Sequence, residues 1–322
     1  MRRISARAER WPLAAAFVIA RGAKIEAEVV VVEIADGAHV GRGEAVPYAR
    51  YGETVDGVLA QLAEVPREIS RDRLQDILSP GAARNALDCA LWDLEAKQKG
   101  VRAWTLAGLS RLDPVKTCLT ISLGSPEEMA HAASAEARRP MLKLKLGGPD
   151  DLDRVEAVRA AAPKTRLVVD ANEALSFDDL QRLAPELARL DVQLIEQPLP
   201  AGHDAELDGY DSPVPLCADE TLHTRAELAA CRGRYAYVNI KLDKAGGLTE
   251  ALALKREAQA AGFEIMVGSM VATSLAAAPA MILAQGVKVA DLDGPLLLAR
   301  DREPGLTVTG SMLEPPSSEL WG

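Results

Sequence analysis

Three acidic residues, Asp170, Glu196 and Asp219, each stand at the end of a short apolar stretch in the second half of the chain. They are 26 and 23 residues apart, which is about one strand-and-helix unit of a parallel β/α fold. Three acids brought to one place repel one another, and a hard cation relieves that repulsion. Since oxygen-only ligands favour Mg²⁺, the spacing predicts a site for one magnesium ion per subunit.

Lysines occur at the ends of two further apolar stretches. Lys143 and Lys145 are two residues apart on one predicted strand, so both side chains face the same way. Lys241 ends another strand, and Lys244 is expected to lie beyond that strand in solvent. Two inward ammonium groups are expected to depress each other's pKa, which would let a lysine act as a base near neutral pH.

These groups together predict a proton-transfer reaction beside a carboxylate. A substrate carboxylate near the metal would place its α-carbon between Lys145 and Lys241, and the cation would stabilise the enediolate formed when the α-proton leaves. One lysine would remove the proton from one face, and the other would return a proton to the opposite face. The predicted outcome is racemisation or epimerisation.

The pattern from residue 113 onward alternates strand and helix, which predicts an α/β fold with a closed parallel barrel. Eight short strands are predicted to begin near Lys116, Leu142, Leu167, Gln193, Leu216, Tyr237, Glu264 and Lys288. Active sites of such barrels lie at the carboxyl ends of the strands, where the acids and lysines are expected. The connection at 200–212 is predicted to be irregular.

Residues 1–112 are predicted to form a separate α+β domain, residues 113–295 the barrel, and residues 296–322 a tail that packs back on the first domain. In the first domain, strands are expected at 17–20 and 28–34, and helices at 54–63 and 82–99. Pro12 interrupts the apolar N-terminal stretch at 11–20, so a strand is favoured there over a signal peptide. The clearest helical period is that of 82–99, which Gly100 ends.

The composition limits the classes of partner that this protein is expected to bind. The formal net charge of −10 argues against nucleic acid or an anionic membrane as a partner. Four scattered cysteines form no close pair, which favours buried thiols in a cytoplasmic protein over disulfides. No apolar run approaches the ~20 residues of a membrane span. A small-molecule substrate is the expected partner, and a homo-oligomer is compatible with the sequence.

Motifs along nearly the whole chain resemble those of the enolase superfamily, muconate-lactonizing subgroup, and within it those of bacterial L-Ala-D/L-Glu dipeptide epimerases. They are Gly81-Ala82-Ala83-Arg84-Asn85-Ala86-Leu87-Asp88, Leu142-Lys143-Leu144-Lys145, Val169-Asp170-Ala171-Asn172, Glu196-Gln197-Pro198, Ala218-Asp219-Glu220 and Asn239-Ile240-Lys241-Leu242. The resemblance implies a capping domain over a (β/α)7β TIM-like barrel, with flexible capping loops near 17–25 and 48–53 that close over the substrate.

The resemblance also implies roles for individual residues. Mg²⁺ would be held by Asp170, Glu196 and Asp219. Lys145 and Lys241 would be the acid/base pair, and Lys143 would contact the substrate carboxylate. The function implied is inversion of the glutamate α-carbon in L-Ala-D-Glu, as in the reuse of murein peptides.

Substrate selection is expected at residues around the barrel mouth. Asp291 and Asp293 form an Asp-x-Asp motif that resembles the one pairing with the free ammonium of a dipeptide. Thr120 and Met270 resemble substrate-contacting positions. In the first capping loop, Lys24 stands where related epimerases with a glutamate preference tend to carry an arginine, and lysine lacks the bidentate fork of arginine.

Other functions remain open on the same scaffold. They are racemisation of an N-acyl amino acid such as N-acetylglutamate, o-succinylbenzoate synthesis and muconate cycloisomerisation; Asp291 and Asp293 argue against them, because those substrates carry no ammonium. Sugar-acid dehydration is disfavoured because no histidine is predicted at a strand end that carries a site acid. Metal-dependent hydrolysis is disfavoured because the sequence has no His-x-His. A non-catalytic binding protein would have to retain these acids and lysines without using them.

Overall fold

The computed structural model describes residues 2–322 of the 322-residue chain. Its N-terminal part is an antiparallel sheet of β1 (Arg3–Ile19), β2 (Gly22–Asp36) and β3 (His39–Ala45). Four helices follow: α1 (Val55–Ala63), α2 (Arg71–Ile77), α3 (Ala82–Lys99) and α4 (Ala103–Leu106). The stretch 11–20 lies within β1 up to Ile19, as the strand interpretation predicted. Strands β1 and β2 are much longer than predicted, because β1 extends back to Arg3 and β2 extends into the hairpin tip at Gly22.

Helix α3 lies directly against β3 and has the predicted bounds. It ends at Gly100, whose φ of +66° is a left-handed conformation that glycine adopts without strain. Two glycines of β3 allow the close approach. A Cβ atom on Gly41 would lie 2.2 Å from the Ala90 carbonyl oxygen, and one on Gly43 would lie 2.1 Å from that of Ala86. Any side chain at these positions would push the helix off the strand.

The remaining elements build the barrel and the tail. They are β4 (Val115–Lys116), β5 (Leu119–Ile121), α5 (Pro126–Ala135), β6 (Met141–Lys145), α6 (Leu152–Ala161), β7 (Arg166–Asp170), α7 (Phe177–Arg189), β8 (Val192–Glu196), β9 (Leu216–Ala218), α8 (Leu228–Cys231), β10 (Tyr237–Lys241), α9 (Leu242–Ala245), α10 (Leu248–Ala260), β11 (Glu264–Gly268), α11 (Ser274–Leu283), β12 (Val289–Asp291), α12 (Gly294–Leu297), β13 (Val308–Thr309) and β14 (Met312–Leu313). Strands β5 to β12 form one parallel sheet in sequence order.

This architecture confirms the predicted α/β fold, a TIM-like barrel beside an antiparallel α+β part. One strand prediction is wrong: Lys116 does not begin the first barrel strand, but lies in β4, which pairs with β14 of the tail. The barrel itself starts at Leu119, because the chain between them turns inward and Cys118 donates its N–H to Ala290 O at 2.9 Å. After β8 the chain forms only a 3₁₀ turn at Asp204–Leu207, so that connection is irregular as predicted.

The barrel interior is layered, and the layers explain where the site forms. An apolar cluster fills the lower interior, made of Cys118, Met141, Val168, Leu194, Cys217, Met266 and Val289. Because side chains on a strand alternate, the residue two positions later also points inward, nearer the carboxyl end. Those residues are Thr120, Lys143, Asp170, Glu196, Asp219, Gly268 and Asp291. A polar layer therefore lies directly on an apolar floor.

The C-terminal tail contacts the N-terminal part of the chain. Leu298 forms a β-bridge with Leu13, and Ala299 donates its N–H to Pro12 O at 2.8 Å. The fully buried Trp321 donates its indole N–H to Cys89 O on α3 at 3.1 Å. These contacts connect the end of the chain to both β1 and α3. Within residues 2–322, no helix is long and apolar enough to cross a membrane.

The close packing of α3 on β3 generates a stability prediction. Changing Gly43 to Ala should lower the free energy of unfolding by about 1–3 kcal/mol or more, because the added Cβ meets a backbone oxygen that cannot rotate away. The control is Val40→Ala on the same strand, where the side chain is 42% exposed and the expected change is within about 0.5 kcal/mol. Urea denaturation measures both. Equal stabilities of the two variants would contradict the packing account.

Candidate active site

The acids and lysines come together at the carboxyl ends of the barrel strands. Asp170 is the last residue of β7, Glu196 the last of β8, and Asp219 immediately follows β9. Lys143 and Lys145 both point into the barrel from β6, while Leu144 between them packs toward the outer helices. All five charged groups are at least nine-tenths buried. Burial of so much charge is tolerated only where opposite charges are paired.

Each acid is paired with a lysine. Lys145 Nζ lies 2.5 Å from Asp170 Oδ2, and Lys241 Nζ lies 2.7 Å from Asp219 Oδ2. Lys143 Nζ lies 2.7 Å from Glu196 Oε2 and 3.1 Å from Asp170 Oδ2. Gly268 on β11 makes room for Lys241, because a Cβ there would lie 3.0 Å from the Lys241 Cε.

The electrostatics differ from the expectation for Lys143. Burial lowers its pKa, but Asp291, Glu196 and Asp170 more than offset this, so its pKa lies well above the ordinary value. The protein charges around Lys241 likewise overcome burial and raise its pKa. The expected depression is therefore not met at Lys143, since three carboxylates outweigh one neighbouring ammonium group.

The carboxylates are affected unequally. Burial opposes ionisation of Asp170, yet Lys145 and Lys143 hold its pKa below the usual value. Burial and the nearby Asp170 instead raise the pKa of Glu196 to about 8. Glu196 is thus the acid whose charge the surrounding protein compensates least, which makes it the one with most to gain from a cation.

The carboxylate oxygens of Asp170, Glu196 and Asp219 are of the type that binds a hard divalent cation, although in this structure they do not point at one common position. Within residues 2–322, no three acidic, histidine or cysteine side chains are arranged together to ligate a metal, because the acid oxygens are turned toward lysines. Glu196 Oε2 is buried without an aligned hydrogen-bond donor, despite its 2.7 Å approach to Lys143. Three buried carboxylates with such an oxygen are suitable ligands for Mg²⁺.

Two site residues were not identified from the sequence. The expectation that Lys244 is solvated is wrong: it is 1% exposed, and its ammonium lies 2.6 Å from Asp219 Oδ1. It also donates to the backbone oxygens of Asp219 and Asn239, which uses all three of its N–H groups. Asn239 donates its side-chain N–H to Glu196 Oε1 at 2.8 Å. Because side chains alternate along a strand, Asn239, two residues before Lys241, could have been predicted to point into the barrel as Lys241 does. The turn of α9 that buries Lys244 carries no sequence signal.

The Asp-x-Asp motif borders the same layer. Asp291 ends β12, and its Oδ2 lies 2.6 Å from Lys143 Nζ. Asp293 stands beyond the strand and makes no side-chain cap to α12; its Oδ2 accepts the Thr120 N–H at 2.6 Å. Burial and the neighbouring Asp291 raise the pKa of Asp293 to about 7. Both carboxylates and Thr120 line the cavity above the site.

That cavity has a volume of about 470 Å³ and lies between the barrel mouth and the tip of the β1–β2 hairpin. The predicted loop at 17–25 is instead this hairpin tip, with strand pairing up to Ile19 and Gly22. The segment at 48–53 contains a 3₁₀ turn, Ala49–Tyr51, and also lines the cavity. Met270, beyond β11, lines its far side.

The two cations of the hairpin tip have different environments. Arg21 donates to Asn172 O at 2.6 Å and lies 2.8 Å from Glu220, so its guanidinium is engaged by barrel loops. Lys24 Nζ lies 5.2 Å from the centroid of the Tyr48 ring, and Lys24 lines the cavity. Within residues 2–322, Lys24 pairs with no acidic side chain. It is therefore the hairpin cation available to an anion in the cavity.

Comparison with known families covers most of the chain. Residues 1–108 match the family described as "Mandelate racemase / muconate lactonizing enzyme, N-terminal domain", and residues 127–317 match "Enolase C-terminal domain-like". The chain is 48% identical over 315 residues to the L-Ala-D/L-Glu epimerase of Escherichia coli (strain K12), covering 96% of this chain and 98% of that protein. It is 44% identical over 301 residues to an N-acetyl-D-glutamate racemase from Pseudoalteromonas sp, covering 91% and 95%.

Solved structures show the same architecture. An enolase family member from Agrobacterium tumefaciens, with homology to dipeptide epimerases and with bound sodium and L-Ala-L-Glu, superposes with a TM-score of 0.99 at 50% identity over 100% of both chains. A dipeptide epimerase from Enterococcus faecalis V583, complexed with Mg and the dipeptide L-Leu-L-Tyr, gives a TM-score of 0.89 at 29% identity, covering 98% of this chain and 96% of that one.

The contacts of Lys244 generate a prediction. Changing Lys244 to Met should lower the free energy of unfolding by about 3 kcal/mol, because it leaves Asp219 Oδ1 and two carbonyl oxygens buried without their donor. Lys164→Met is the control, because Lys164 is exposed and its loss should change the free energy of unfolding by less than about 0.5 kcal/mol. Urea denaturation at a fixed magnesium concentration measures both. A loss for Lys244→Met as small as that for Lys164→Met would contradict the structural role of Lys244.

Proposed function

Because the chain belongs to the enolase superfamily, in its mandelate racemase/muconate lactonizing branch, and is an isomerase like its epimerase and racemase relatives, we propose that it is a Mg²⁺-dependent dipeptide epimerase. The proposed reaction inverts the α-carbon of the glutamate residue in L-Ala-D-Glu and L-Ala-L-Glu. This is the type of reaction required for reuse of murein peptides.

One geometric observation carries the proposal. Lys145 is on β6 and Lys241 is on β10, which are four strands apart in a barrel of eight. The two ammonium groups therefore approach the centre of the mouth from opposite sides. A substrate α-carbon between them has one lysine on each face, which is the arrangement that inversion by proton removal and return requires.

The roles of the other site residues follow from their positions. Asp170, Glu196 and Asp219 would hold Mg²⁺, which supplies Lewis-acid stabilisation of the negative charge that develops on the substrate carboxylate. Lys145 Nζ and Lys241 Nζ, now on Asp170 and Asp219, would turn to the α-carbon once the acids are neutralised. Lys143, held below them, would contact the substrate carboxylate.

Groups at the rim of the cavity support a dipeptide substrate. Asp291 and Asp293 provide carboxylates on one side of the cavity, suited to a free ammonium group. Lys24 provides a cation at the hairpin tip, suited to the side-chain carboxylate of glutamate. Thr120 and Met270 also line the cavity and would be further substrate contacts. The two ends of L-Ala-D-Glu thus meet groups of opposite charge.

Racemisation of N-acetylglutamate is the second candidate, and one observation favours it. Asp291 is already neutralised by Lys143 at 2.6 Å, and the pKa of Asp293 is raised to about 7. The pair is therefore less negative than two free carboxylates would be, and it repels the carbonyl oxygen of an acyl group less. The similarity to an N-acetyl-D-glutamate racemase agrees with this alternative.

The function is tested by proton exchange. Incubation with L-Ala-D-Glu in D₂O with Mg²⁺ should exchange the glutamyl α-proton and produce the L-Glu epimer, followed by NMR. A chelator should stop the exchange, and added Mg²⁺ should restore it. Exchange with N-acetylglutamate but not with the dipeptide would replace the first proposal by the second. Absence of exchange in both would overturn the assignment.

Variants of the two lysines test the mechanism. Lys145→Ala and Lys241→Ala should each reduce inversion by about 10³-fold or more, because each removes the only proton carrier on one face. Lys164→Ala, at an exposed lysine, should leave the rate unchanged. Full inversion in either site variant would exclude a mechanism with two lysines.

The position of Lys24 generates a specificity prediction. Lys24→Ala should lower kcat/KM for L-Ala-D-Glu by about tenfold, which corresponds to about 1.4 kcal/mol of binding energy. The same change should alter kcat/KM for L-Ala-D-Ala by less than about twofold, since that dipeptide has no distal carboxylate. Lys24→Arg should retain the preference for glutamate, because arginine keeps the positive charge and the N–H donors at this position. An equal fall in kcat/KM for both dipeptides would show that Lys24 does not recognise the glutamate side chain.

A further inference from the structure

The barrel closes between its first and last strands through an irregular seam. Strands β5 and β12 are not joined by a regular ladder of backbone hydrogen bonds. Cys118 donates its N–H to Ala290 O at 2.9 Å, and Thr120 donates its N–H to the Asp293 carboxylate at 2.6 Å. Between these two contacts, Leu292 donates its N–H to the side chain of Thr117 at 2.9 Å. A side chain therefore replaces the backbone at the middle of the seam.

Thr117 is suited to hold this position. It is fully buried, and its hydroxyl accepts from Leu292 N while donating to Cys118 O at 3.0 Å. Its own N–H is bonded to Ser311 O in the tail at 2.9 Å, which anchors its backbone from the opposite side. The hydroxyl thus uses both its donor and an acceptor lone pair, and a residue without a hydroxyl would leave the Leu292 N–H unpaired.

The bonded amide stands in the middle of the Asp-x-Asp motif. Leu292 lies between Asp291 and Asp293, so the bond to its N–H fixes the Asp291–Leu292 peptide unit, and Asp293 is the next residue along the chain. The adjacent Cys118 adds a contact at the same seam, since its thiol donates to Asp291 Oδ1 at 3.1 Å. The orientation of both carboxylates in the cavity therefore depends on the segment between β4 and β5, which carries Thr117 and Cys118.

We propose that Thr117 is a positioning residue that aims the Asp291 and Asp293 carboxylates at the ammonium group of a dipeptide substrate. The inference rests on the proposed dipeptide epimerase activity. Thr117 does not line the cavity, so it acts only through the pair. It determines how well the free amino end is bound, while Lys145 and Lys241, on other strands, carry out the proton transfer.

The test separates KM from kcat for L-Ala-L-Glu. In Thr117→Val, KM should rise about tenfold while kcat changes less than about threefold, because ammonium binding is weakened and the lysines are untouched. Thr117→Ser keeps the hydroxyl and should restore both values to within about twofold. Thr165→Val is the matched control: Thr165 is also buried, but its hydroxyl bonds Ala137 O away from the cavity. It should leave KM unchanged.

A double-mutant cycle with Asp293→Asn distinguishes positioning from general damage. If Thr117 acts through the pair, adding Thr117→Val to Asp293→Asn should raise KM by less than about twofold further. Multiplicative effects, or a parallel fall of kcat in Thr117→Val, would overturn the inference. Thermal melting checks folding, and Thr117→Ala replaces the valine variant if that variant does not fold.

Assays of the wild-type protein and of Thr117→Val together separate a failure of the proposed function from a failure of the inference about Thr117. If it does not exchange the glutamyl α-proton of the dipeptide, the proposed function fails, and the role of Thr117 in ammonium binding fails with it. If it does exchange that proton and Thr117→Val has wild-type KM, the proposed function stands and the inference about Thr117 is wrong.

Discussion

Charge compensation inside a closed barrel is the constraint on which this molecule depends. Four lysines and four carboxylates are buried in one layer at the strand ends, paired at 2.5–3.1 Å. Desolvating these charges is costly, and only mutual pairing makes the layer tolerable. The same pairing places proton carriers beside candidate metal ligands, so the arrangement that permits folding also brings together the groups needed for chemistry.

The apolar floor below the layer and the hairpin above it complete the environment. The apolar floor lies below the charged groups, and several of them line the cavity above, namely Lys143, Lys145, Asp219, Lys241 and Asp291. Above, Arg21 and Arg50 both contact Glu173, in the loop after β7. Asn172 and Glu173 adopt left-handed conformations there, with φ of +45° and +70°, and the arginine contacts hold that strained loop in place. The N-terminal part thereby helps to shape the loop that follows Asp170.

Much of this could be predicted from residue spacing. The period-two alternation of a strand indicated that Lys143 and Lys145 face the same way, and the regular spacing of Asp170, Glu196 and Asp219 indicated consecutive strand ends. Helix α3 was predicted with its observed bounds, because its period and the following Gly100 are local signals. The long hairpin was underestimated, since the extent of β1 and β2 depends on their pairing with each other. Lys244 was misplaced because its burial results from a single turn of α9 after the strand.

The sequence by itself therefore determined the fold class, the set of strand-end acids and lysines, and the type of chemistry they suit, because these depend on local periodicity and side-chain chemistry. Only the tertiary structure decided how the charges pair. It placed Lys143 among three carboxylates, which raise its pKa, and it turned Lys244 inward onto Asp219. It also paired Arg21 with Glu173 and Glu220, while Lys24, which lines the same cavity, has no acidic partner among residues 2–322. These outcomes depend on distances between residues far apart in the chain, and Coulomb interactions and desolvation respond to those distances rather than to sequence separation.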